Sequence, residues 1–242
     1  MKQNIPNLVT LFNLFFGCCA IVSVLSGEFI SAFWFFFAAG LADYLDGTAA
    51  RLLDVGSPMG KELDSLADMV SFGLLPGVIF YTLLEMGWTG GIHHSGVVWK
   101  AAPAFIITLF SALRLGKFNL DTRQTDYFIG LPTPSSCLFA VGLMMIYEFD
   151  SFGWGSWIVR PALLYGCIAL LSYTMVADLP MFSMKFKSFK WSENRIKFIF
   201  AGVAIALLLF LREAALPVII LLYILVSMII NWLDYSINPV EK

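Results

Sequence analysis

Four aspartates carry the chemistry that this sequence can be expected to do. Asp43 and Asp46 lie in the run Asp43-Tyr-Leu-Asp46-Gly47-Thr-Ala-Ala50-Arg51, and Asp64 and Asp68 lie in Gly60-Lys-Glu-Leu-Asp64-Ser-Leu-Ala-Asp68. Both runs are embedded in apolar sequence. An ionised Asp in the middle of a membrane span costs at least ~2.5 kcal/mol on insertion scales, so four of them call for positive charge nearby. Asp43 and Asp46 are spaced i, i+3, with Gly47 and Ala50 on the same helical face; Asp64 and Asp68 are spaced i, i+4, with Gly60 one turn earlier. The short connection from Leu52 to Met59 predicts two antiparallel neighbouring helices whose acidic faces meet. Four carboxylates around one volume cannot stay unpaired. Oxygen ligands alone, without His or Cys, point to Mg²⁺ or Mn²⁺. Four carboxylates suffice for two divalent metal ions about 4 Å apart, the arrangement of two-metal phosphoryl transfer. Gly47, Ala50 and Gly60 remove bulk beside the carboxylates, so a large ligand such as a nucleotide can approach the backbone; the same small residues also suit helix packing. Arg51, one turn on, can pair with a phosphate or with an aspartate. Asp54 and Glu62 fall at the turn and read as solvated surface.

The elements that position these residues are read from hydropathy. Of 242 residues, 59% are hydrophobic and 13% charged, and the apolar residues come in long blocks that no water-soluble fold could cover. The expected class is therefore all-α: a polytopic membrane protein forming a single integral membrane domain. A spanning helix needs about 20 apolar residues, and eight candidate spans are predicted. They cover Leu8 to Leu25, Phe29 to Leu53, Leu63 to Met86, Val97 to Lys117, Ser135 to Tyr147, Trp157 to Val176, Ile196 to Leu211 and Leu216 to Trp232. Gly56 and Pro58, Gly90 and Gly91, Pro132 and Pro134, and Gly153 and Gly155 mark gaps. Eight spans place both termini on one side. Twelve cations fall on that side (Lys2, Arg51, Lys61, Arg114, Lys117, Arg123, Lys185, Lys187, Lys190, Arg195, Lys197 and Lys242). Three, Lys100, Arg160 and Arg212, fall on the other. The positive-inside rule then makes the termini cytoplasmic, and Trp88, Trp99, Trp154 and Trp157 form an interfacial belt on the far side. No cleavable signal peptide is expected. Net charge of −2 offers no electrostatic case for nucleic acid. Cys18, Cys19, Cys137 and Cys167, without CxxC spacing, read as packing residues.

The pattern DxxDGxxAR, a spacer of eight residues, then GxxxDxxxD resembles the signature of the CDP-alcohol phosphatidyltransferase family at every defined position. The run Leu63-Asp-Ser-Leu-Ala-Asp-Met-Val-Ser-Phe-Gly73 is similar to the phosphatidylserine synthase branch of that family. So are Ile5-Pro-Asn-Leu-Val-Thr10, Leu113-Arg-Leu-Gly-Lys-Phe-Asn119 and Phe128-Ile-Gly-Leu-Pro-Thr-Pro134. The similarity covers residues 5 to 140; the last three spans match in number and hydropathy only. One departure is Lys117, where the family usually has Arg; Lys keeps the charge and loses the planar bidentate fork.

The resemblance implies an enzyme of phospholipid biosynthesis that moves the phosphatidyl group of CDP-diacylglycerol to the hydroxyl of L-serine and releases CMP. It implies a homodimer in the cell membrane with its active site open to the cytoplasm. Carried over by position, Asp43, Asp46 and Asp64 bind one metal ion, and Asp43, Asp64 and Asp68 the second, with Asp68 also the general base. Gly47, Ala50, Arg51, Gly60 and Ser65 line the cytidine diphosphate site, and Asn7 and Thr10 add contacts. Arg114, Lys117, Asn119, Pro132 and Thr133 form the acceptor site. Without a Cys or His at the site, and with Ser65 lacking a base of its own, direct displacement is favoured over a covalent intermediate. His93 and His94, in the opposite loop, read as surface residues. Other acceptors (glycerol 3-phosphate, inositol phosphate or choline) stay open, because the aspartate motif does not separate them. A divalent-cation transporter is the alternative of another class, although the C-terminal half holds no second acidic motif of the kind paired repeats would carry.

Overall fold

The computed structural model describes residues 4–55, 57–92, 96–120, 127–182 and 191–237. Lys2, Gly56, His93, His94, Arg123, Lys185, Lys187, Lys190 and Lys242 lie outside the described residues. The chain is almost wholly helical, as its apolar blocks require: a backbone in hydrocarbon must satisfy its own N–H and C=O groups. In order come α1 (Asn4–Leu25), α2 (Phe29–Leu52), α3 (Pro58–Asp68), a π-helical segment (Met69–Leu74) and α4 (Leu75–Thr89). After them come α5 (Ile106–Leu120), α6 (Thr133–Phe149), the short α7 (Gly155–Ile158), α8 (Pro161–Val176), α9 (Trp191–Leu211) and α10 (Ala215–Ile237).

Each predicted span is occupied by helix, with shifted ends. The third begins earlier than expected, because Ser57 caps it: its Oγ accepts from the Gly60 N–H at 2.9 Å, and Pro58 occupies the first turn. Helix then runs from Pro58 to Thr89 through the π-helical segment and stops where Gly90 turns left-handed at φ 81°. The fourth starts later, since Val97 and Val98 are irregular, Trp99 to Ala101 form a turn, and helix enters through a 3₁₀ turn at Ala102–Phe105. The sixth is broken after Ile158 because Pro161 disfavours helical backbone at Arg160, which is extended. Arg212, at φ 53°, breaks the long apolar run from Asn194 to Trp232, and α9 and α10 pack on each other as a hairpin.

Among the described residues, four helical runs are long and apolar enough to cross a membrane: Ile5–Leu25, Phe29–Leu52, Pro58–Thr89 and Asn194–Trp232, with Thr133–Phe149 and Pro161–Val176 shorter. The outer faces of α1, α2, α9 and α10 expose Phe15, Trp34, Phe37, Leu209, Phe210 and Ile229. The core lies around α4 and α6, where Phe72, Leu75, Ile79, Phe80, Leu84, Phe139 and Met144 are buried. An apolar surface around an apolar core is the signature of a chain solvated by lipid. Lys100 and Arg160 lie over the rings of Trp88 and Trp157, at 4.3 and 3.5 Å.

Two features were not visible in the sequence. Tyr127–Ile129 (β1) and Pro180–Phe182 (β2) form a two-stranded antiparallel pairing, Tyr127 opposite Phe182 and Ile129 opposite Pro180. Each strand has three residues, too few for a period-two signal, and the partners are distant in sequence. The second feature is a correction: α2 and α3 are not closely packed neighbours. α1 packs along both of them, and α2 and α3 make few close backbone approaches to each other. The short turn brings their ends together, with Asp54 exposed and left-handed at φ 50°, while the helix bodies leave room between them.

Candidate active site

The aspartates converge across that room. One carboxylate oxygen from each of Asp43, Asp64 and Asp68 lies within 4.8 Å of the other two, and all three residues are half-buried. The Asp43 and Asp68 carboxyl groups are within hydrogen-bonding reach of each other. Two carboxylates so close need a proton or a cation between them. Asp68 Oδ1 is buried with no hydrogen-bond partner. A buried carboxylate with an orphaned oxygen, gathered with two more carboxylates, fits a hard divalent cation.

Asp46 stands apart from this trio. It is 6% exposed and accepts a hydrogen bond from Thr10 Oγ1 at 2.6 Å, so α1 supplies its partner. The expected ligand set is thus divided: Asp43, Asp64 and Asp68 are gathered, and Asp46 is tethered beside them. Thr10 is brought to the site through Asp46.

The π-helical segment begins at Met69, immediately after Asp68. Such bulges are frequent at functional sites because they re-aim side chains within a helix. This one is held by α1, as Ser71 Oγ donates to the Asn13 carbonyl at 3.1 Å. Sequence pattern gave no warning of the bulge.

A Cβ built on Gly47 would meet nothing within 4 Å, so that face of α2 is open. Gly60 is different: its Cβ would lie 3.0 Å from Asn7 Oδ1 and 3.1 Å from Ser57 Oγ, which makes it a close-packing position that brings Asn7 to the turn. Ala50 is half-buried, and Arg51 is exposed with its Nη2 3.3 Å from Thr48 Oγ1, free to swing toward an anion. Asp54 and Glu62 are exposed, as expected.

The second group of predicted residues lies at the C-terminal end of α5. Asn119 Nδ2 donates to Ser65 Oγ at 2.8 Å and Lys61 Nζ to the Asn119 carbonyl at 3.4 Å, which ties α5 to the aspartate helix. Arg114 is 7% exposed; its Nη1 lies 3.5 Å from Thr133 Oγ1, its Nε has no partner, and Asp68 is within electrostatic range. Thr133, wholly buried, starts α6 after the extended Pro132. Lys117 does not share this environment. It is exposed and donates to the Val176 carbonyl at 3.4 Å, where a cation suits the end of α8.

The arrangement defines a helical integral membrane protein with a half-buried, all-oxygen acidic centre opening beside glycine. The model of the CDP-alcohol phosphatidyltransferase family matches residues 3–172. A protein of Helicobacter pylori (strain J99) named CDP-diacylglycerol-serine O-phosphatidyltransferase is 33% identical over 230 residues, covering 94% of this chain and 90% of its own. Proteins of the same name from Bacillus subtilis and Saccharomyces cerevisiae are 33% and 32% identical. The match covers 77% of this chain and 91% of the relative for the first, and 59% and 55% for the second. The chain belongs to the CDP-alcohol phosphatidyltransferase family, whose members use divalent metals. It is therefore an enzyme of phosphatidyl transfer, and the transporter alternative falls.

Proposed function

We propose that this protein transfers the phosphatidyl group of CDP-diacylglycerol to the hydroxyl of L-serine, giving phosphatidylserine and CMP. The observation that carries this is the meeting of Asp43, Asp64 and Asp68 beside an open Gly47, with buried Arg114 close by. Asp43, Asp64 and Asp68, with Asp46 alongside, would hold two divalent ions, Mg²⁺ or Mn²⁺. When bound, these ions supply positive charge to the diphosphate and to the departing CMP. The remaining work belongs to the chain. Gly47 and Ala50 admit the nucleotide to the α2 backbone, and Arg51 reaches its phosphate. Asn7 and Thr10 from α1, with Gly60 of α3, shape the entrance, and Ser65 is held toward it by Asn119. Arg114, with Thr133, receives the serine carboxylate, which would otherwise enter a low-dielectric site unpaired. Asp68 accepts the hydroxyl proton as the serine oxygen attacks the lipid-side phosphorus, and the bond to the CMP oxygen breaks. The displacement is direct.

Lys117 supports acceptor binding by fixing α5 against α8. The excess of cations on the side of the termini supports a single membrane domain whose site faces the cytoplasm; the family resemblance supports a homodimer. A second reading keeps the mechanism and changes the acceptor, because Arg114 pairs equally well with an acceptor phosphate. The test is CMP release from CDP-diacylglycerol by the purified protein, offered serine, glycerol 3-phosphate, inositol phosphate and choline in turn. Serine is expected to give the highest kcat/KM, and excess EDTA to stop the reaction. Preference for glycerol 3-phosphate would overturn the serine assignment, and full activity in EDTA would overturn the metal assignment.

A further inference from the structure

The family match ends at residue 172, yet the segment beyond it reaches the acceptor side of the site. After α8 the chain turns at Ala177 to Leu179, enters β2 at Pro180, and lies against the stretch that leads into Thr133. β1 and β2 pair along Tyr127–Ile129 and Pro180–Phe182. Past the strands, the Gly130 N–H donates to the Leu179 carbonyl and the Leu131 N–H to the Thr174 carbonyl, both at 2.9 Å. Gly130 sits at φ 75°, and a side chain there would run into the Met175 carbonyl, so the approach admits only glycine. Pro132 and Thr133 therefore follow a stretch held both by the last turn of α8, through Thr174, and by the segment after it, through Leu179.

That segment is anchored by one residue of α10. The Tyr223 hydroxyl donates to the Phe182 carbonyl at 2.9 Å, and its ring lies 4.9 Å from Phe182 and 6.0 Å from Phe200 of α9. Tyr223 is 7% exposed, and its oxygen is within electrostatic range of the Arg114 guanidinium. A tyrosine hydroxyl has one proton and two lone pairs. With the proton given to Phe182, the oxygen presents only acceptor character toward the buried cation.

We infer that Tyr223 is a positioning residue for the acceptor site. Through its bond to Phe182 it fixes β2, and through β1 it fixes Thr133 against Arg114, so that the C-terminal hairpin sets how the acceptor's anionic group is received. The inference rests on the proposed reading that Arg114 and Thr133 contact the acceptor. Other polar groups of the same region have local roles: Ser227 bonds the Tyr223 carbonyl within its own helix, and Lys117 closes the end of α8.

The experiment is Tyr223→Phe in the full-length protein, which keeps the ring packing and removes the hydroxyl. The acceptor is whichever alcohol the wild type uses best, so failure of the serine assignment is seen separately, in the wild type alone. The KM for the acceptor should rise about three- to tenfold, the size expected for one lost neutral hydrogen bond. The KM for CDP-diacylglycerol and the melting temperature in detergent should stay near wild type. In a Thr133→Ala background the same substitution should add little, because both act on one contact. An unchanged acceptor KM, or both KM values rising together with a fall in melting temperature, would overturn the inference; so would full additivity with Thr133→Ala.

Discussion

At the scale of single residues, the site works through carboxylates placed too close to stand alone. Asp43 and Asp64 each reach the other two members of the trio, so removing one charge leaves the remaining pair without the geometry to hold a divalent cation. Asp43→Asn and Asp64→Asn should each abolish CMP release while the protein is still recovered from membranes in folded form. Retained activity in either, measured at saturating Mg²⁺ and Mn²⁺, would contradict the assignment. Arg114 makes a different kind of contribution. It is buried with an unpartnered Nε and only a long contact to Thr133, so its hydrogen-bonding capacity is largely unused by the protein. A charge-assisted contact to an acceptor carboxylate is worth about 1.5–3 kcal/mol. Arg114→Ala should therefore lower kcat/KM for serine by roughly 10- to 150-fold, with a much smaller effect on the KM for CDP-diacylglycerol. An effect confined to the CDP-lipid would move Arg114 to the nucleotide side.

At the scale of elements, α1 organises the site although it carries no aspartate. It binds Asp46 through Thr10, receives Ser71 of the π-helical segment on the Asn13 carbonyl, and packs along both α2 and α3. Gly17 permits this approach: a Cβ there would come within 2.9 Å of the Ser71 Cα. Gly17→Ala should cost about 1–3 kcal/mol of stability, as overpacking does, and should also lower kcat, because the displaced segment begins next to Asp68. Gly142, where a Cβ would lie 2.8 Å from the Leu216 Cβ, is equally tight but lies in the α6–α10 contact. Gly142→Ala should reduce the melting temperature similarly and leave kcat per folded molecule unchanged. Equal loss of kcat in both variants would show that α1 has no special part.

At the scale of the whole molecule, the distribution of charge and aromatic residues makes the orientation in the membrane testable. The three cations expected on the far side are Lys100 and Arg160, which lie on tryptophan rings, and Arg212, which pairs with Glu213 at 3.7 Å. Position 54 and the C-terminus should label from the cytoplasmic side and position 93 from the opposite side, using single cysteines in a variant without the native four. Labelling of positions 54 and 93 from the same side would break the expected span count. The outer faces of α1, α2, α9 and α10 remain apolar, as lipid contact demands.

The sequence by itself determined the solvent, the class and the acidic chemistry. Long apolar blocks leave a chain no alternative to helices in lipid, and carboxylates at i, i+3 and i, i+4 share a helical face whatever the tertiary packing. It also singled out Asn119, Thr133 and Arg114, through the resemblance rather than through periodicity; in the structure Asn119 bonds Ser65 and Arg114 lies beside Thr133. Only the tertiary structure decided which side chains meet. Asp46 turned to Thr10 and left a trio behind it, Lys117 went to the end of α8, and α2 and α3 stood apart with α1 along both. The β1–β2 pairing and the Tyr223 anchor depend on segments about fifty residues apart, β1 near residue 127 and β2 near residue 182. Local pattern reports the faces of an element; it holds no information on contacts whose partners are remote in the chain, because those are selected by packing of the assembled whole.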